Sequence, residues 1–149
     1  MNKKIIILGF IAGFLSTLIF HQGVLEVLFQ LGVVPKAPYV MTATQPFAIP
    51  AFISLAFWGG IWGIIPAVIF KHNSIKFTYW LKLFIFGGVF PPLCAVLVVF
   101  PLKGIVMNYT PATIALIFMI NAIWGIGTGI IIQIFRKFNS KCEEVYSSR

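Results

Sequence analysis

Four long apolar segments limit what this chain can fold into more than any other feature. A helix that crosses the hydrocarbon core of a bilayer needs about 20 mostly apolar residues. Such segments run over about 4–23, 50–70, 79–100 and 112–135, and the first can extend to Leu31. The sequence therefore predicts an all-α membrane protein with four transmembrane helices.

The composition supports a bilayer environment. Apolar residues make up 60% of the 149 positions and charged residues only 9%, whereas ordinary globular domains carry about 25% charged residues. A soluble domain could not cover its surface with so few charges. The basic start of the chain resembles a signal sequence without a clear cleavage site, so we predict a retained first helix.

The basic residues are divided unequally between the two sides of the predicted membrane. Nine lie on the side of both termini: Lys3, Lys4, Lys71, Lys76, Lys82, Arg136, Lys137, Lys141 and Arg149. Only Lys36 and Lys103 lie on the other side. Basic residues resist translocation, so both termini are predicted to be cytoplasmic. The net charge of +8 then reflects topology, and we predict no nucleic-acid partner.

The connecting segments differ in kind. Residues 32–50 contain four prolines and are predicted to form an external, non-helical loop. Residues 139–149 are predicted to form a polar cytoplasmic tail. Residues 1–138 would then form one transmembrane domain.

One ten-residue stretch occurs nearly twice. Ala56–Ile65 and Ala122–Ile131, 66 positions apart, agree at six of ten positions. The similarity arises either by chance or from duplication of a helical hairpin, which would give parallel repeats. Small residues spaced by four allow close helix packing in lipid, so we predict that helices two and four pack on each other. The predicted packing residues are Trp58, Gly59, Gly63, Trp124, Gly125 and Gly129.

Polar residues of the spanning region collect in its external half. We predict that they line an outward-facing polar crevice made of His21, Gln22, Glu26, Lys103 and Asn121. Gln22, Glu26 and Gln30 recur every four residues and share one helix face. Either the helix continues past Gly23 with this face toward the bundle, or it bends there and lies along the interface.

The ionisable members of this crevice have alternative roles. Glu26 either pairs with Lys103 in a structural ion pair or takes part in function, because ionisable groups near the membrane are costly. His21 is either a hydrogen-bonded anchor or a group that handles protons. No third ligand is spaced for a metal site with His21 and Glu26.

The third segment contains Pro91 and Pro92 near the middle of the membrane. Each proline removes the backbone hydrogen bond to the carbonyl four residues earlier, at Gly87 and Gly88. The sequence therefore predicts a kink or break in this helix. Broken helices occur at transporter binding sites, and simple kinks satisfied by neighbouring helices also occur.

No catalytic or cofactor motif is present. The chain has no nucleophile–base pair, no paired carboxylates in the membrane region and no phosphate-binding loop. We therefore predict no enzyme activity, no cofactor and no metal. Cys94 and Cys142 lie in dissimilar settings, so no disulfide is predicted.

Four short segments resemble a family of small four-helix bacterial inner-membrane proteins. They are F-H-Q-G (20–23), S-L-A-F-W-G-G (54–60), P-L-K-G (101–104) and N-A-I-W-G-I-G-T-G (121–129). The resemblance implies a bacterial inner-membrane location and supplies no activity. In size the chain is also similar to small multidrug transporters, which carry a glutamate in helix one. Here Glu26 lies at the external end of that helix, and the similarity fails at this position.

Two functions are compatible with the sequence. The first is transport of a small solute or ion by a homo-oligomer, through the polar crevice. The second is an accessory or structural subunit that binds a larger membrane protein through its glycine faces and its external loop. In both, the surrounding partner is the lipid bilayer.

Overall fold

The computed structural model describes residues 3–45, 47–71, 76–102 and 104–147, with side chains as far as 138. Within this part, four helices are long and apolar enough to cross a membrane, so the predicted fold class is confirmed. They are α1 (Lys3–Gln30), α2 (Ala51–Ile69), α3 (Phe77–Leu102) and α4 (Pro111–Ser147). Two short antiparallel strands, β1 (Ala43–Thr44) and β2 (Ile49–Pro50), lie in the loop between α1 and α2.

Helices α1 and α4 extend furthest beyond the shortest spans that the sequence predicts. The first stays helical from Lys3 to Gln30, so of the two alternatives given for this segment, the helix continues past Gly23. The fourth stays helical to Ser147, through most of the segment predicted as a separate polar tail. Gln22, Glu26 and Gln30 therefore lie along the C-terminal end of one continuous helix.

The helices pack in the order α2–α1–α4–α3. The closest pairs are α1 with α2 and α3 with α4, and α1 joins the two hairpins through α4. Helices α2 and α4 touch little, so the prediction that they pack on each other is wrong. The physical reason is that the four glycines predicted to pack, Gly59, Gly63, Gly125 and Gly129, face the helix just before their own in the chain.

Glycines bring the backbones of α1 and α2 together. A Cβ atom on Gly63 would lie 2.7 Å from the Cα of Gly13, and one on Gly9 would lie 2.9 Å from the carbonyl oxygen of Gly63. Gly59 packs against the side chain of Thr17. Without a hydrophobic force between helices in lipid, such close backbone packing is what holds them together.

The second hairpin uses the same arrangement. A Cβ atom on Gly87 would lie 2.8 Å from the Cα of Gly125, and Gly129 packs against the side chains of Leu83 and Trp80. Gly125 thus meets Gly87 of α3 as Gly63 meets Gly13 of α1.

These contacts give the repeat a different register from the one predicted. Gly63 and Gly125 are 62 positions apart (125 − 63), and the surrounding residues 61–64 and 123–126 both read I-W-G-I. The ten-residue match at 66 positions is displaced from this register by one helical turn. The two hairpins are thus alike in contacts, and their origin by duplication stays a prediction.

The predicted break in α3 is not found. The chain is helical from Phe77 to Leu102, and the N–H of Ala95 bonds to the carbonyls of Pro91 and Pro92. Gly87, Gly88 and Pro92 are buried, and Gly88 packs against the ring of Phe118 on α4. The helix is therefore closely packed against α4 where the prolines remove its bonds, and a π-helical segment, Ala95–Val99, follows directly.

Another π-helical segment, the first in chain order, lies in the C-terminal half of α1, at Thr17–His21. Both odd-numbered helices therefore contain a five-residue π segment beyond their glycine contacts. π segments are rare and frequently occur at functional sites.

The centre of the bundle is built mainly from small residues. Ala12, Ala56 and Ala122 are fully buried, because close backbone approach leaves no room for larger side chains. Many large apolar side chains instead face outward, where a bilayer would cover them. Trp58 is one of these side chains, with 57% of its surface exposed. The prediction that it packs between helices beside Gly59 and Gly63 is therefore wrong.

Candidate functional site

The two hairpins are joined by a reciprocal pair of buried hydrogen bonds, which we call the clasp. The hydroxyl of Ser16 on α1 donates to the carbonyl oxygen of Trp124 on α4, at 2.7 Å. The indole Nε1–H of Trp124 donates to the carbonyl oxygen of Gly13, at 3.1 Å. Each helix thus gives one donor and one acceptor to the other, which fixes both their separation and their register.

Two threonines complete the clasp. Thr17 Oγ1 donates to the Gly13 carbonyl at 2.9 Å, and Thr128 Oγ1 donates to the Trp124 carbonyl at 2.9 Å. Both carbonyl oxygens therefore accept a second bond in addition to their interhelical one. All four side chains are 3% exposed or less, so their polar groups are satisfied inside the bundle.

The loop between α1 and α2, which the sequence predicts to be external, is attached to α1 by Tyr39. Its phenolic Oη donates to the Leu18 carbonyl oxygen at 2.9 Å, and its backbone N–H donates to Gln22 Oε1 at 2.9 Å. Gln22 is buried, and the bond from Tyr39 satisfies its carboxamide oxygen. We call this pair of bonds the latch.

The backbone of Tyr39 is in an uncommon conformation. Its φ is 54°, in the left-handed region, which costs a residue with a side chain about 1–2 kcal/mol. The ring packs edge-to-face on Phe52 of α2, with 6.0 Å between ring centroids. In this strained conformation the side chain of Tyr39 contacts both α1, through Leu18, and α2, through Phe52.

The rest of the loop is a short hairpin. Ala43 pairs with Pro50 and Thr44 with Ile49, and Thr44 Oγ1 donates to the Ile49 carbonyl at 2.8 Å. The N–H of Ala51 bonds to the Thr42 carbonyl at the start of α2. The described residues at this end of the loop are therefore held by hydrogen bonds within the loop and to the start of α2.

His21 is the last residue of the first π segment. Its Nδ1 atom is buried and has no hydrogen-bond partner within the described part of the chain. It stands directly before Gln22, whose side chain accepts a bond of the latch. This is the one predicted crevice residue whose polar atom is left unsatisfied among the side chains described.

The other predicted crevice residues have separate partners. Glu26 Oε1 accepts a bond from Gln30 Nε2 at 2.7 Å, one turn further along the same helix. Asn121 Nδ2 donates to the Ile117 carbonyl of its own helix at 2.8 Å. Lys103 lies outside the described residues, so its predicted pairing with Glu26 stays a prediction. The hydrogen bonds of the described members therefore do not link them into one crevice.

An apolar groove lies on the C-terminal half of α1. Its volume is about 290 Å³, and it is lined by Ile19, Phe20, Gly23, Val24, Val27 and Leu28. None of the predicted crevice residues lines it. Gly23 leaves a notch in the helix surface, since a Cβ atom there would meet nothing within 4 Å.

Sequence reasoning missed the residues that carry most of this hydrogen bonding. Ser16, Thr17, Thr128 and Tyr39 were not singled out. The available signal was the hydroxyl side chains within otherwise apolar spans, since such groups hydrogen-bond across helices in membranes. Trp124 was predicted as a packing residue, and its donor role was missed.

The chain was also compared with known proteins. The comparisons with protein-family models, with curated proteins and with solved structures find no match. The fold therefore gives the class of the protein, which is helical, with four helices long and apolar enough to span a membrane. No group of three His, Cys, Asp or Glu residues in the described ranges is placed to hold a metal ion.

Proposed function

We propose that this protein is a multipass protein of the bacterial inner membrane that serves as an accessory or structural subunit of a larger membrane complex. The proposed orientation places both termini in the cytoplasm. It is supported by the nine basic residues on the side of the termini against two on the other side.

The observation that supports the accessory role is that most of the described polar side chains in the helices form hydrogen bonds within the protein. Ser16, Thr17, Trp124 and Thr128 are bonded within the clasp. The side chains of Gln22 and Asn121 bond to the loop and to the helix backbone. A transport pathway needs polar groups that are free to replace the hydration of a solute. The side chains named here are instead engaged in holding helices and loop together, whereas His21 Nδ1 and Gln133 Nε2 are buried without a partner among the described residues.

The external loop supplies the surface that a partner would bind. Its hairpin is ordered, and it presents exposed apolar side chains, of which Phe47 is 79% exposed and Met41 is 70% exposed. Apolar and aromatic side chains of this kind are typical anchors in protein interfaces. The partner is expected to be an integral membrane protein with a matching apolar surface on its external side.

Native mass spectrometry of tagged protein, extracted gently from its own membrane, tests this proposal. A second polypeptide in fixed stoichiometry is expected, and it should be lost on Phe47→Ser. The matched control is Val106→Ser, which changes a 96% exposed apolar residue of the other external loop. A homo-oligomer without a second polypeptide would refute the accessory role, and so would equal loss of the partner in both variants.

Transport by a homo-oligomer is the second candidate, favoured by one observation. The Nδ1 of His21 is buried and unpartnered among the described residues, and an unsatisfied polar group in a membrane helix often marks a functional site. An oligomer would be needed because four helices rarely enclose a pathway alone.

Flux assays with His21→Gln and Glu26→Gln test the transport candidate. Glu26→Gln is a mild change because an amide oxygen can still accept the bond from Gln30. Loss of flux in a folded variant would support transport. Loss of folding that Lys103→Met restores would instead assign Glu26 to a structural ion pair. Unchanged flux in both single variants would exclude these two residues from transport.

A further inference from the structure

The latch lies directly over the first π segment, Thr17–His21, and the two features share one backbone atom. In an α-helix, the N–H of Gln22 would bond to the carbonyl oxygen of Leu18, four residues earlier. Here it points to the carbonyls of Thr17 and Ile19 instead. The Leu18 carbonyl is thereby released from that bond, and it accepts the hydroxyl of Tyr39.

The second bond of the latch acts on the same residue. Gln22, whose N–H has left the α-helical register, also accepts the N–H of Tyr39 through its side chain. Tyr39 therefore bonds to two groups of the π segment and its end: the released carbonyl of Leu18 and the side chain of Gln22, the residue directly after the segment.

The strain at Tyr39 is consistent with a residue held for this purpose. Its φ of 54° is rare for a residue with a side chain, and such outliers persist only where the surroundings fix them. The bond to Leu18 is on the exposed side of the structure, so water can compete for it.

We propose that the latch is a conformational switch that holds α1 in its π-helical register. In the latched state, which the structure represents, Tyr39 bonds to Leu18 and Gln22. In the unlatched state the loop leaves, and the Leu18 carbonyl regains the N–H of Gln22 in an ordinary α-helical bond. The exchange keeps the carbonyl satisfied in both states, which makes two discrete states possible.

The consequence of unlatching is a rotation. A π turn holds one residue more than an α turn. When the π turn becomes an α turn, the segment after it therefore rotates by about 100° relative to the segment before it. Residues 22–30 would turn as a unit, and the stripe formed by Gln22, Glu26 and Gln30 would face a different neighbour. The interhelical bonds of the clasp use Gly13 and Ser16, which lie before the π segment, so they would stay in place. The contact of Phe20 with Gly127 lies within the segment and would change. This switch is a property of the chain itself and does not require the proposed partner.

Hydrogen–deuterium exchange of the whole protein in lipid nanodiscs tests the proposal. The variant is Tyr39→Phe, which removes the hydroxyl and keeps the ring that packs on Phe52. The amides at 17–23 must open while they change partners between the two registers. Without the bond from Tyr39, which stabilises the latched state, this opening should become about fivefold more frequent and speed their exchange by that factor. The matched control is Tyr109→Phe, on the other external loop, because Tyr109 and Tyr39 are equally exposed at 42%.

Two further comparisons separate a switch from a loosened loop. Gln22→Met removes the other acceptor at similar volume and should also speed exchange at 17–23. The second π segment, Ala95–Val99, should be unaffected in every variant. If Tyr39→Phe speeds exchange only within the loop at 31–50, or if Tyr109→Phe has the same effect at 17–23, the proposed switch is wrong.

Discussion

Two glycines of α1 offer a sharp test of how this bundle is held together. Gly13 faces α2, and Gly23 lies ten residues further along the same helix in open space. Both positions are helical, so Gly→Ala makes the same chemical change in the same type of backbone. Only the surroundings of the added methyl group differ.

The contacts set the expected size of the effect. A Cβ atom on Gly13 would fall against the carbonyl oxygen of Gly59 and 2.9 Å from the Cα of Gly63. Both are backbone atoms, which cannot rotate away, so α1 and α2 would have to separate. Overpacking costs about 1–3 kcal/mol, and helix propensity returns about 1 kcal/mol. We take the upper part of that range and expect Gly13→Ala to lower the free energy of unfolding by about 2 kcal/mol.

Gly23→Ala should have the opposite sign. No neighbour lies within 4 Å of its added Cβ, so only the gain in helix propensity of up to about 1 kcal/mol remains. The two variants should therefore differ by about 3 kcal/mol in stability.

Unfolding of the purified protein by increasing SDS in mixed micelles, followed by tryptophan fluorescence, measures this difference. The chain contains four tryptophans, and Trp124 is almost fully buried, so unfolding should change its emission. Equal midpoints for Gly13→Ala and Gly23→Ala would refute the glycine contact between α1 and α2 as the source of stability.

Three further predictions follow from the same contacts and from the sequence. In a double-mutant cycle by SDS unfolding, Ser16→Ala and Trp124→Phe should each destabilise by about 0.6–1.7 kcal/mol and should couple, because both bonds span the same pair of helices; strict additivity would argue against a shared clasp. Gly125→Ala should destabilise by about as much as Gly63→Ala, roughly 2 kcal/mol, and a much smaller effect would show that the two hairpins are not equivalent. In intact cells whose outer membrane is permeabilised, a cysteine introduced by Lys36→Cys should react with a membrane-impermeant maleimide, and failure to label would reverse the proposed orientation.

The four spans could be predicted because their signal is local. An apolar stretch of sufficient length needs no partner to be recognised, since its cost outside lipid is a sum over its own residues. The ends of the helices were less well predicted. The first helix continues to Gln30 because its polar residues lie on one face and its hydrogen bonding does not stop where the apolar run weakens.

The sequence correctly predicted that glycines form the close helix contacts, and it predicted the wrong pair of helices. Glycines spaced by four identify a face that allows close approach, and Gly59, Gly63, Gly125 and Gly129 do lie at such contacts. The spacing does not tell which helix comes close. That choice depends on which small residues lie opposite, and for Gly63 these are Gly9 and Gly13 in the same hairpin.

The polar residues divide in the same way. The sequence identified unusual polar side chains near the ends of the apolar spans, among them His21 and Gln22, from their type and their position in the chain alone. It did not predict the latch or the clasp. Three of their four bonds end on backbone carbonyls, which every residue has, and all four join residues far apart in the chain. Ser16 and Trp124 are 108 positions apart, and no local pattern records such a pairing.

The sequence by itself thus determined the class of protein, the number of spans and the distribution of charge between the two sides, all of which are sums over neighbouring residues. The tertiary structure alone decided which glycine faces meet, that the prolines of α3 stay within a helix, and that Tyr39 bonds to α1 at its π segment. These outcomes depend on the distance between segments far apart in the chain, which only the folded bundle fixes.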